Sequence, residues 1–127
     1  MITGLHHINL VVPPQTLHLA EQFYAGTLGL TPRPVPQLQR DTLAWFDIGS
    51  SGQQVHVAFG KPHDFAEASS RHPCFRVGSA EDLVRLRKRV WEHFEKGGES
   101  APQAADRPGE EDSGAKGAEY PTRFFAR

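Results

Sequence analysis

The feature that most constrains this chain is that one order of elements, strand, helix, then strands, occurs twice. The first copy runs from about Leu5 to Phe59 and the second from about His72 to Arg127. Each opens on a histidine leading a short strand, His7-Ile8-Asn9-Leu10-Val11-Val12 and His72-Pro73-Cys74-Phe75-Arg76-Val77. A repeated unit of this kind cannot cover its own apolar face, and pairing with its copy solves that problem.

Local signals give the elements. Leu5 to Val12 is rich in β-formers and is stopped by Pro13-Pro14, which cannot donate to a ladder. Ala20, Phe23, Tyr24 and Leu28 fall at helical spacing, so Thr16 to Leu28 predicts a helix, with Gly29 where a terminating glycine belongs. Pro32, Pro34 and Pro36 confine Leu30 to Gln39 to an edge strand or an extended segment. Thr42 to Ile48 and Gln53 to Phe59 flank Gly49-Ser50-Ser51-Gly52 and predict a hairpin. In the second copy, Pro73 to Val77 predicts a strand. Ser79 predicts a helix N-cap, with Glu81 and Asp82 in the first turn. Leu83, Leu86, Val90 and Phe94 form the apolar stripe of that helix, and Gly97-Gly98 end it. Arg85, Arg87, Lys88 and Arg89 are expected on its solvated side. Residues 98–119 hold six acidic and two basic residues with almost nothing apolar, and are expected to be a mobile acidic loop. A last strand is expected near Pro121 to Arg127.

Length and composition fit a single domain spanning residues 1–127. Module one covers about 4–60 and module two about 71–127. A formal net charge of −1 gives no field that would recruit nucleic acid or an anionic membrane. No apolar run approaches the roughly 18 residues of a membrane span, and the first residues lack the pattern of a signal peptide. The lone cysteine, Cys74, cannot form an internal disulfide. A cytoplasmic location is the expectation.

Leu5-His6-His7-Ile8-Asn9-Leu10-Val11-Val12, followed by Phe23-Tyr24 and Leu28-Gly29-Leu30, resembles the opening of the vicinal oxygen chelate superfamily. That superfamily includes glyoxalase I, bleomycin-resistance proteins, fosfomycin-resistance transferases and extradiol dioxygenases. Arg71 to Val77 resembles the opening of its second module. The resemblance spans nearly the whole chain except the acidic loop. It implies an α+β fold in which paired βαβββ modules form a curved, incompletely closed mixed sheet with helices outside. It also implies a small-molecule substrate, a divalent metal ion and a homodimer.

Side chains alternate across a strand, so His7, Asn9 and Val11 share one face, and His72, Cys74 and Arg76 share one face of the equivalent strand. With the modules related by a pseudo-twofold axis, His7 and His72 converge on one cleft. His56 points opposite to Val55 and Val57, at a strand position that resembles a ligand site in glyoxalase-like proteins. His7, His56 and His72 are therefore the candidate metal ligands, and imidazoles suit Zn, Ni, Fe or Mn. Each is equally compatible with a packed or edge histidine. His6 is expected on the opposite face from His7.

For substrate, Arg76 offers a partner to a carboxylate or phosphonate, Asn9 lies beside His7, and Trp45 or Phe46 offers an aromatic wall. Cys74 is expected to be a small packing residue. One departure counts against the metal. Relatives continue past a strand such as Thr122 to Arg127 into an Asp-Pro-x-Gly-Asn turn and a further strand bearing a metal-binding glutamate. That strand does not follow here, and Glu99 and Glu119 are the nearest acidic residues. Three readings stay open: a metal-dependent lyase, transferase or dioxygenase acting on vicinal oxygens; a metal-free binding protein of the drug-sequestering kind; and a truncated, inactive member.

Overall fold

Hydrophobic alternation on two neighbouring strands organises the first half of the chain. The computed structural model describes residues 1–65, 69–110 and 123–127, and the chain divides into two compact units, Met1–Cys74 and Phe75–Arg127. The remainder of the expected acidic loop, residues 111–119, and the start of the expected last strand lie outside the described residues.

In the first unit, β1 (His7–Val12) leads into α1 (Leu17–Glu21), which continues as a π-helical turn over Gln22–Thr27. Next come β2 (Thr31–Arg33), β3 (Leu43–Asp47) and β4 (Gln54–Phe59). The spatial order is β1-β4-β3-β2, with β1 parallel to β4 and the other pairs antiparallel. This is an open, mixed βαβββ sheet of an α+β fold. The parallel pair requires a crossover, which the helix supplies.

The sheet has two chemically different faces. Val55 and Val57 of β4 are fully buried and Phe46 of β3 is 1 % exposed. Ile8, Leu10 and Val12 of β1 stand on the same side, half-buried. Helix α1 packs over β3 and β4 and contributes buried Ala20. Tyr24, from the π-helical turn, lies against Phe46 with ring centroids 5.7 Å apart. Burying side chains of this size stabilises by about 1.5–3 kcal/mol each.

Turn chemistry fixes the register. Gly49 (φ 53°) and Gly52 (φ 74°) occupy the left-handed region in the β3–β4 turn. Ile48 N–H donates to the Gln53 carbonyl at 2.9 Å and the Ser51 hydroxyl donates to the Ile48 carbonyl at 2.7 Å. Gly60, just past β4, has no room for a side chain: a Cβ there would meet Phe65 Cζ at 2.8 Å and Val11 Cβ at 2.9 Å. The edge strand expected from the prolines is only three residues long, and a 3₁₀ turn (Gln37–Gln39) follows it.

The second unit holds α2 (Ala80–Lys96). Ser79 caps it, accepting from Asp82 N–H at 3.1 Å, Glu81 and Asp82 sit in the first turn, and Gly97 (φ 68°) ends it. Val90 is its most buried residue. Arg87 turns inward rather than outward, and its guanidinium donates to the carbonyls of Asp106, Arg107 and Glu110. Asp106 is buried and accepts Phe125 N–H at 2.7 Å, and Ala105 bridges Ala126 antiparallel. The first part of the expected acidic loop is thus pinned by Arg87 and by the chain end.

Pro73–Val77 joins no ladder among the described residues, and the last strand is reduced there to that bridge and the backbone hydrogen bonds flanking it. A second four-stranded sheet is not present among the described residues. Nor is any of their helices long and apolar enough to cross a membrane.

Two stability results are expected. Phe46→Ala should cost about 3–5 kcal/mol in urea unfolding, while Leu38→Ala, at a fully exposed side chain, should stay within about 0.5 kcal/mol. Burial raises the Tyr24 pKa from 10.0 to about 12. The unfolded chain therefore loses that proton first. Stability should fall as pH rises from 10 toward 12, and Tyr24→Phe should flatten the fall measured by thermal unfolding.

Candidate functional site

The face of the sheet opposite the valines is polar and aromatic. Because β1, β3 and β4 are in register, His7, Asn9, Trp45, Asp47, Gln54 and His56 all stand on it. Asn9 lies directly across from His56, Trp45 across from His56 on the other side, and Asp47 across from Gln54.

Three rings make a ladder. His7 and His56 stack with centroids 4.1 Å apart at 13°, and His56 and Trp45 stack at 4.6 Å and 13°. His6 joins edge-on to His7 at 5.5 Å, with the two Nδ1 atoms 3.3 Å apart. It was expected on the far face. His6 precedes the first ladder residue of β1, so strand alternation does not govern it. Phe46, the other candidate for an aromatic wall, is core.

A chain of polar contacts runs beside the ladder. Arg33 donates to Asp47 Oδ2 at 3.2 Å. Gln54 Nε2 donates to Asp47 Oδ1 at 2.8 Å, and Gln54 Oε1 lies 2.9 Å from His56 Nε2. The Gln54 hydrogen bond, aided by Arg33, holds the Asp47 carboxyl below its ordinary range against a smaller opposing effect of burial. Burial lowers the His56 pKa, helped by the adjacent His7 and His6. His56 is therefore predominantly neutral at pH 7. Trp45 Nε1 is buried and has no acceptor among the described residues. An open depression of about 290 Å³ at the β2–β3 edge borders Trp45, Arg33 and Arg40 and, from the helix-covered side, Glu21 and Phe46.

No family model matches the chain, and no curated protein matches it. Among solved structures, the chain is similar to a Bacillus anthracis protein assigned provisionally to the glyoxalase family. The TM-score is 0.60 and the identity 24%, over 72% of this chain and 70% of that one. The fold is glyoxalase-like. At that identity the likeness speaks for the fold, not for the activity.

Within this glyoxalase-like sheet, the expected site residues divide. His7 and Asn9 share one face by alternation, and the register of β4 and β3 adds His56 and Trp45 to it. His72 lies outside the sheet with its Nδ1 2.8 Å from the Ser70 carbonyl. Arg76 belongs to the second unit and is exposed. From 72 to 77 exposure alternates, His72, Cys74 and Arg76 outward and Pro73, Phe75 and Val77 half-buried, so the shared face read from the sequence exists without a ladder.

The donor geometry does not fit a metal as it stands. An imidazole lone pair lies in its ring plane, and rings stacked at 13° share no point that both lone pairs reach at the ~2.0–2.1 Å of a metal–nitrogen bond. Among the described residues, no group of three or more His, Cys, Asp or Glu side chains is arranged to hold an ion. Arg33, Asp47 and Gln54, absent from the sequence reading, complete the site. Gln54 shares strand parity with His56, while Asp47 and Arg33 reach this face only through the register of β3 and β2.

A depressed His56 pKa means the unfolded chain binds its proton first as pH falls. Stability should therefore be complete above the ordinary histidine range and decline as pH drops below about 6.5. Replacing His56 with Asn should remove part of that acid sensitivity, read as thermal midpoint against pH.

Proposed function

We propose that this chain is a metal-independent small-molecule-binding protein of glyoxalase-like fold, holding a planar ligand against the His7–His56–Trp45 face. The observation that carries this reading is the ring ladder itself. Near-parallel imidazoles and an indole make a preformed stack whose outer ring faces, on His7 and Trp45, are the platforms on which a flat molecule can add. His7 and Asn9 are exposed, so the end of the ladder is open to a ligand. Arg40 beside the depression supplies positive charge for an acidic substituent, while Arg33 is paired with Asp47 and Glu21 also borders the depression.

The drug-sequestering alternative raised by the sequence is the one favoured. Chelation of vicinal oxygens by an ion would require His7 and His56 to rotate out of their stack and His56 to give up its bond to Gln54. Homodimerisation belongs to the same proposal. β1 is an edge of the sheet, and an exposed strand edge promotes self-pairing.

The test is a titration with 2-naphthol followed by NMR, with and without a chelator. Resonances of His7, His56 and Trp45 should shift together, unchanged by chelator, and Trp45→Ala should weaken binding at least about tenfold, in keeping with the ~1–3 kcal/mol a stacked base gains on an aromatic side chain. Binding that needs an added divalent metal and vanishes with chelator would overturn the reading.

A further inference from the structure

We infer that Asp47 and Gln54 are positioning residues that lock His56 in its Nε2–H tautomer. The site thereby offers its ligand a bare Nδ1 acceptor and selects planar molecules carrying an O–H or N–H donor. The ligand half rests on the proposed function above; the tautomer half does not.

The argument starts at the end of the polar chain with no choice of role. Arg33 can only donate, and it does so to Asp47 Oδ2. Ionised Asp47 can only accept. The Gln54 atom 2.8 Å from Asp47 Oδ1 must therefore be its NH₂ group, because the flipped amide would set a carbonyl oxygen against a carboxylate. The carbonyl of Gln54 is left facing His56 Nε2 at 2.9 Å, and a carbonyl only accepts. Nε2 must carry the hydrogen. In a neutral imidazole Nδ1 is then the lone-pair nitrogen.

Nδ1 of His56 makes no hydrogen bond within the described residues, whereas Nε2 does. The order of roles is built into the strands. Asp47 and Gln54 are direct partners across β3 and β4, and His56 follows two residues later on the same face. The stack between His7 and Trp45 fixes the ring plane, so the acceptor has a set direction as well as a set identity. This device is distinct from metal ligation, since its output is an uncoordinated nitrogen that recognises a proton donor.

The test uses the full chain at about pH 8, above the ordinary histidine range. Long-range ¹H–¹⁵N spectra should show His56 almost wholly as the Nε2–H form. In Asp47→Asn the new amide can accept from Arg33 and donate to Gln54. That turns the Gln54 amide over and shifts His56 toward the Nδ1–H form. Gln54→Leu should give a mixture of tautomers with the ring ladder retained, as judged by aromatic chemical shifts. A His56 tautomer that is mixed in the parent protein, or unmoved in both variants, overturns the assignment.

The ligand half is read by comparing 2-naphthol with 2-methoxynaphthalene, which matches its shape but lacks the donor. The naphthol should bind at least tenfold more tightly to the parent protein, and Asp47→Asn should erase most of that preference. Equal affinities with the tautomer locked would sink donor selection alone. Binding of neither probe would sink the proposed function with it and leave the tautomer result standing.

Discussion

Burial of Val55 and Val57 on β4 is the constraint on which the rest of the first unit depends. β4 is an inner strand, paired with β1 on one side and β3 on the other. Once its valines go under α1, the period of two sends Gln54, His56 and Ala58 to the opposite face. Register then does the remaining work. It sets Asn9 and Trp45 on either side of His56 and Asp47 across from Gln54. A slip of one residue would bury the imidazole and expose both valines. The same apolar contacts that hold the sheet therefore also assemble its functional face.

Much of this was legible from residues alone. The β1 strand, the helix after Pro13-Pro14, the Gly-Ser-Ser-Gly hairpin and the Ser79-capped helix each carry a local signal that tertiary packing does not override. The shared face of His7 and Asn9, and the side of β4 that His56 takes against Val55 and Val57, follow from parity. The π-helical turn over Gln22–Thr27 was not legible, because hydrophobic spacing in six residues does not distinguish it from a continuing α-helix. Nor was the Arg33–Asp47–Gln54 chain. Each of those side chains reads singly as a solvated strand residue, and only the cross-strand register shows that they touch. His6 stands one residue before β1, where the alternation of the ladder does not reach.

The second half shows what a repeated order of elements does and does not guarantee. Its opening keeps the alternation of a strand and its helix keeps caps and an apolar stripe. The segment between that helix and the last residues, 98–119, is nearly devoid of apolar residues. The contacts that hold the segment over 101–110 are specific. Arg87 reaches three carbonyls, Asp106 takes Phe125 N–H, and one bridge joins Ala105 to Ala126. A buried carboxylate and a half-buried guanidinium reinforce there a short stretch of backbone pairing, in which Asp106 N–H donates to the Phe125 carbonyl at 2.9 Å and Arg127 N–H to the Ala104 carbonyl at 2.8 Å.

The polar face also carries costs that packing alone does not explain. Trp45 buries an indole N–H without an acceptor among the described residues, a penalty of order 1–3 kcal/mol. His56 is held against its tendency to take a proton, by burial and by two neighbouring imidazoles. An apolar strand surface would avoid both. Local choices that oppose stability while forming one continuous surface are where a sequence departs from the requirements of folding. Here the departures coincide: the orphan indole, the depressed imidazole and the charged chain that orients it meet at one pair of cross-strand partners, Trp45 and His56. That coincidence, more than the histidine count, is what singles out this face as the candidate binding surface of the glyoxalase-like sheet.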